Sequence, residues 1–360
     1  MKTTLLFIFT LFCSTTFGQF HSINKETLSE IENKGVIFEL LPESENDLSY
    51  IPKKKKKEKD PLEFPEFNKK LNESAKRTFA KYWKLTKGEV KFKTQKEISE
   101  LSLDVLKDNV LVSASWITKD TQYQGFLTFF AFNIKHVNAK VNYEDIFEFA
   151  FLPNSDIVDA DFIFFLKTLD NTKVISLNYD AYKKSHIYSE NMNRIETKTL
   201  LVDSSMLNPK TTIEQITAAY PYKYLIVNDD VIEKAINEEC DSCLFFKLIW
   251  ARGMGMGIFD VFDTKDMKIL AAIGTGGVTI KFGGTPHMSS QFTRGWDAKS
   301  NSFGYTMHQT ALPPSYLDGK PAAPGTAGKG GKVLWQTPLK IADKHFKVIY
   351  NEGAQKMNFK

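Results

Sequence analysis

From Phe67 the apolar residues fall at Phe67, Leu71, Ala75, Phe79 and then Tyr82 or Trp83. A spacing of about four places them on one face of an amphipathic helix. A short strand is expected at residues 89–93, and Thr94 after it can accept from the first free N–H groups of a second helix. A strand ending at Trp116, a turn reaching Gly125 and a strand over residues 126–133 complete the series. The same order returns downstream: a helix at 211–220, a strand at 222–227, Asn228 as cap, and a helix at 229–239. A strand ending at Trp250, a turn reaching Gly257 and a strand over 258–264 follow. An ungapped alignment sets Thr94 on Asn228, Ile98 on Ile232, Val110 on Leu244 and Trp116 on Trp250. Agreement of cap, core positions and element order points to duplication of a helix-strand-helix-strand-strand unit. The expected fold class is α+β, a mixed α/β protein built from two such units.

The flanking segments divide the rest of the chain. Residues 19–62 are a polar leader and lysine-rich linker, interrupted by the apolar run from Gly35 to Leu41, which is expected to dock as a short strand. Repeat unit 1 is assigned to residues 63–142, a connecting α/β segment to 143–202, and repeat unit 2 to 203–282. The connection contains the apolar stretch 161–166, an expected strand at 173–177 and another at 198–202. Strands are also expected at 267–273 and 278–282. Sixteen of the 20 glycines lie beyond residue 252, and four prolines crowd residues 313–324. Residues 283–360 therefore read as a glycine- and proline-rich region, mostly loop from Gly283 to Lys332.

The first eighteen residues have the three parts of a secretory signal peptide: Lys2, the apolar run from Leu5 to Phe12, and a more polar stretch to Gly18. Cleavage is expected before Gln19. The apolar run is far shorter than the roughly 20 residues that span a bilayer, and no later segment reaches that length without charges. The protein is thus expected to be exported and to be periplasmic, outer-membrane-associated or secreted. The formal net charge is +4, and the tract Lys53 to Lys59, six lysines and one glutamate, contributes +5, so the rest of the chain is about neutral. A nucleic-acid protein spreads its basic residues over a folded face among aromatics, so no nucleic-acid partner is expected. The tract reads as a solvated linker, with attraction to an anionic envelope surface as the alternative.

Removal of the signal also removes Cys13 and leaves Cys240 and Cys243 in a C-x-x-C pair. Such a pair can be a redox dithiol, half of a zinc site or a local disulfide. It follows the expected helix at 229–239, and a helix C-terminus opposes thiolate formation, as do Glu238 and Glu239. No second C-x-x-C or C-x-x-H completes a zinc site. A structural disulfide is the favoured reading in an oxidising compartment.

The run from Ile258 to Ala272, after a helix and a strand, resembles the small envelope modules of curli-secretion and TolB amino-terminal type, in which an outgoing strand, an acidic turn and a returning strand follow a helix-strand unit. The resemblance covers some sixty residues per unit and carries no functional residue. It implies a role in envelope assembly or transport through protein contacts.

Motif chemistry is sparse. Arg252 to Gly257 joins two expected strands, so it cannot serve as a dinucleotide loop. The glycine-rich run ending at Lys332 fails the phosphate-loop pattern at both ends, and no nucleophile elbow is present. The six histidines are far apart in the chain, and Asp156, Asp159 and Asp161 are explained as acids at a helix N-terminus. No cofactor or metal is expected. Candidate binding residues are Arg294, Trp296, Asp297, Tyr305, His308 and Trp335, because aromatic and arginine side chains in loops are favoured contact residues. The function expected is a non-enzymatic binding or assembly module with an envelope protein or glycan as partner. The alternative is a secreted hydrolase whose site gathers His308, Asp297 and Arg294 in space.

Overall fold

In a computed structural model the described residues are 23–44, 47, 65–121, 125–138, 143–153, 157–177, 187–251, 256–274, 290–297, 302–309 and 341–355. The expected signal peptide, the lysine tract, the strand at 278–282 and Trp335 lie outside them. Among the described residues, helices occur together with a mixed sheet, in agreement with the α+β class.

Helix α1 (Lys25–Ile31) leads into strand β1 (Gly35–Glu39), whose Val36, Ile37 and Phe38 are fully buried. β1 lies parallel to and between β2 (Val90–Lys93) and β3 (Asn109–Thr121). Parallel neighbours need crossover segments. Helix α2 (Pro65–Tyr82) supplies one, and the short helices α3 (Gln95–Ser99) and α4 (Leu103–Lys107) supply the other. The predicted stripe Phe67, Leu71, Ala75, Phe79 and Tyr82 is the buried face of α2, packed in one core with Val36 and Phe38. Ile37 points the other way, against Ile98 and Leu111. The run expected as a docked strand of the leader is therefore an interior strand, paired on both sides. An all-apolar strand with both faces covered has no polar alternation to mark it as central.

Thr94 caps α3 in a reciprocal capping box with Glu97. Strands β3, β4 (Gly125–Val137) and β5 (Tyr143–Phe151) then form an antiparallel meander. Helix α5 (Asp159–Leu177) follows and absorbs the strand expected at 173–177. Val174 and Ile175 are β-branched and favour strand locally, but Leu169, Thr172 and Ser176 continue the buried face of the helix, and tertiary burial overrides the local preference.

The second series repeats these pairings. Helix α6 (Ile187–Thr197) leads into β6 (Thr199–Asp203), which is parallel to both β7 (Tyr224–Val227) and β8 (Cys243–Ala251). Helices α7 (Ile213–Ala219) and α8 (Asp229–Asn237) make the crossovers. β8, β9 (Met256–Asp263) and β10 (Ile269–Gly274) form an antiparallel meander. Asn109 pairs with Gly35 in the first series, and Cys243, its aligned counterpart, pairs with Thr199 in the second. Asn228, expected to cap α8 through its side chain, makes no such bond; its amide donates to Asp230 instead.

The two series join in one ten-stranded sheet. β8 carries β6 on one margin at Cys243 to Phe245 and, further along, β5 at Ile249, which pairs with Phe151. α5 lies over this joint. Phe162 meets Phe38, Phe79 and Phe132, while Phe164 meets Phe149, Phe151, Phe245 and Phe262, so one helix contacts both series. The opposite face is covered by α6, α7 and α9 (Asp343–Gln355) around Phe129, Phe246, Phe259 and Phe346. Corresponding strand positions thus cover opposite faces: Val110 and Val112 look toward α2 and α5, Leu244 and Phe246 toward α7 and α9. Where the sequence reads as loop beyond Gly283, strands β11 (Ser290–Asp297) and β12 (Ser302–Gln309) form a hairpin. Their glycines and polar residues obscure any period-two pattern.

Candidate functional site

Open α/β sheets place chemistry at the carboxyl ends of their parallel strands, where crossover helices begin. In the second series that place is occupied by charge. Asp203 ends β6, Asp229 opens α8, and Asp161 stands in the first turn of α5. Lys247 on β8 lies two residues beyond the β6–β8 register pair Leu201–Phe245, level with Asp203, and is paired across the strand with Asp260 of β9. Asp161, Asp203, Lys247 and Asp260 are all buried.

The Lys247 ammonium is 3.1 Å from Asp161 Oδ1 and lies 5.0 Å from the Phe151 ring centre, where the ring face adds a cation–π attraction. Asp161 Oδ2 accepts from the Val158 amide at 3.2 Å. Asp203 accepts from the Ser205 amide and hydroxyl, both at 2.8 Å. Burial pushes the carboxyls of Asp161 and Asp203 upward, and the neighbouring Asp229 charge adds to this; Lys247 and the hydrogen bonds oppose it. The chemistry of such a group is first of all adhesion. The ion pair ties the first turn of α5 to the middle of the sheet. Among the described residues, no group of three or more His, Cys, Asp or Glu could hold a metal ion.

A second buried charge cluster fastens α6 to the β9–β10 turn. The fully buried Asp263 receives Arg194 at 2.8 Å and Lys198 at 2.6 Å, and Arg194 also reaches Asp266 at 2.7 Å. Burial works to lower the Arg194 guanidinium, but the hydrogen bonds it donates to these two carboxylates, and their charges, push it upward.

Cys240 and Cys243 are disulfide-bonded, with Cα atoms 5.6 Å apart. The bond links the end of α8 to the start of β8, and the Thr264 hydroxyl donates to the carbonyls of both cysteines. Glu239 just before it adopts a left-handed conformation, φ 54°, which terminates the helix.

No family model matches the chain, and neither a curated protein nor a solved structure matches it. The site must therefore be read from its own geometry.

Arg294, Trp296 and Asp297 fall on β11, Tyr305 and His308 on β12. Arg294 is the register partner of Tyr305, Asp297 of Ser302, and His308 of Gln291. Asp297 and His308 therefore sit at opposite ends of the hairpin, six residue steps or about 20 Å apart along the strands. This backbone register does not bring His308, Asp297 and Arg294 to one point. The Asp161–Lys247 pair was missed because its members are 86 positions apart. A signal did exist: Lys247 interrupts the apolar run Leu244 to Trp250 at an inward position.

His345 on α9 gives a pH dependence. Its ring is buried, Nδ1 accepts from the Ala342 amide at 2.8 Å, and burial pushes its pKa down to about 4. The unfolded chain protonates it near 6.5. A depressed folded value means that its stability contribution is present above pH 6.5 and is lost as pH falls toward 4. Urea titrations from pH 7 to pH 4 are expected to show a loss of roughly 3 kcal/mol that is absent in His345→Gln. An equal loss in both proteins would remove His345 as the cause.

Proposed function

We propose that this chain is exported and serves the cell envelope as a non-enzymatic binding or assembly module, with an envelope protein or glycan as its partner. The signal-like residues 1–18 support export, and the bonded Cys240–Cys243 pair fits an oxidising compartment. Among the described residues no helix is long and apolar enough to cross a membrane. In this reading the two series of strands and helices descend from one duplicated unit, related in kind to the curli-secretion and TolB amino-terminal modules that the sequence resembles.

The observation that carries the binding role is the hairpin β11–β12. Its strands pair only with each other among the described residues, and they bear five of the six candidate contact residues. A ribbon outside the main sheet can be offered to a partner without disturbing the core.

The test is chemical cross-linking in cell envelopes with the full chain, beside a variant carrying Arg294→Ala, Trp296→Ala and Tyr305→Ala whose fold is checked by circular dichroism. The expected outcome is one specific adduct formed by the native chain and lost in the variant. Adducts equal in both proteins would sink the hairpin as the binding element. The mature protein is expected to begin at Gln19 by amino-terminal mass spectrometry; a cytoplasmic chain that retains residues 1–18 would end the export reading.

A further inference from the structure

Strand β7 occupies an edge of the ten-stranded sheet, and among the described residues it pairs with β6 alone. Proteins usually guard such edges with charge, because unpaired N–H and C=O groups invite another strand. The corresponding edge of the first series is guarded in this way. β2 reads Val-Lys-Phe-Lys, with Lys91 exposed and paired to Glu89, and Lys93 paired to Glu97. β7 reads Tyr-Leu-Ile-Val and has no such guard. Leu225 is 56% exposed and Ile226 38%, and the helices beside them add Ile213 at 61% and Val231 at 43%. Alternation along the strand puts exposed apolar side chains on both faces of this open edge.

We propose that β7 is a self-association edge, on which two copies of this chain pair β7 to β7 about a two-fold axis. The Lys223 carbonyl accepts from Leu200 on β6. Alternation along the strand then turns the N–H and C=O groups of Tyr224 and Ile226 away from β6. An antiparallel two-fold pairing must join outward-facing residues, and centring it on Ile226 sets each Ile226 against its own mate. Leu225 then faces the second copy's Val227, Tyr224 comes beside the second copy's extended cap residue Asn228, and Lys223 lies nearest the acidic start of the second copy's α8. Charge at the two ends of the strand selects this register and this occupant. The strand is preceded by an exposed lysine and followed by Asp229 and Asp230, so its ends are complementary in charge to an antiparallel copy of itself. Such an isologous contact closes on two subunits and leaves no propagating edge.

The experiment is sedimentation equilibrium of the full mature chain over a range of concentrations, with folding of each variant checked by circular dichroism. The native protein is expected to reach twice the monomer mass reversibly, and Ile226→Lys to raise the dissociation constant at least about tenfold. Lys223→Glu and Asp230→Lys are each expected to weaken self-association. An equimolar mixture of these two should recover it, because the mixed pair restores opposite charges at both contacts. A chain that stays monomeric up to its solubility limit would overturn the proposal. So would a dimer indifferent to Ile226→Lys, or single variants that their mixture fails to rescue.

Discussion

Lys247→Met is expected to lower the unfolding free energy by about 3–5 kcal/mol, because it leaves the buried Asp161 carboxylate without its cation. Both groups are 7% exposed and their charged atoms are 3.1 Å apart. Removing one partner therefore exposes the other to the full cost of burial rather than to water. The double change Asp161→Leu with Lys247→Met should recover most of the loss, since a buried ion pair is often no more stable than an apolar pair of similar volume. Urea unfolding followed by tryptophan fluorescence would measure both. The pH dependence carries a sign. Burial raises the Asp161 pKa in the folded chain above the ordinary aspartate value, so the native state holds the proton more tightly than the unfolded state. Its contribution then declines as pH rises from about 3.8 toward the raised folded value. Loss of the Lys247 charge raises that value further. The deficit of Lys247→Met is expected to be larger at pH 7 than at pH 4, and a deficit independent of pH would show that the pair is not what the substitution breaks.

Phe132→Ala is expected to cost about 3–5 kcal/mol, the range for removing a large aromatic from a close-packed core. Phe132 is fully buried on β4 and stacks on Phe165 of α5 with ring centres 4.0 Å apart. It also meets Phe130, Phe151 and Phe162. The cavity would open between the sheet and the helix that spans both series of strands. Phe132→Leu keeps much of the apolar volume and should cost clearly less. Thermal unfolding by circular dichroism gives the comparison, and a Phe132→Ala protein as stable as the native chain would refute this account of how α5 is held.

These two predictions rest on different degrees of legibility. The phenylalanine run of α5 stands out in the chain as apolar, but an apolar run does not say whether it is helix or strand. Its continuation through Val174 and Ile175 reads locally as strand, and only packing of Leu169, Thr172 and Ser176 on one face makes it helix. The ion pair is harder still. Asp161 reads as an ordinary acid near a helix start, and nothing within the local window of Lys247 names its partner. The structural disulfide was legible because both cysteines sit in one short turn, where the helix end and the adjoining strand could be read together.

The sequence by itself determined the order of many elements, since each depends on residues a few positions apart: the stripe on α2, the cap at Thr94, and the strands that carry Trp116 and Trp250, although the first runs on to Thr121. Only the tertiary structure decided how they are used. Val110 and Leu244 align in sequence yet lie on opposite faces of the joined sheet, and Val36 to Phe38, in a run that looks peripheral, sits at an interior position. Periodicity specifies which side of an element must be covered. Which distant segment covers it is set by burial and by pairing between residues remote in the chain, and no local window contains that information.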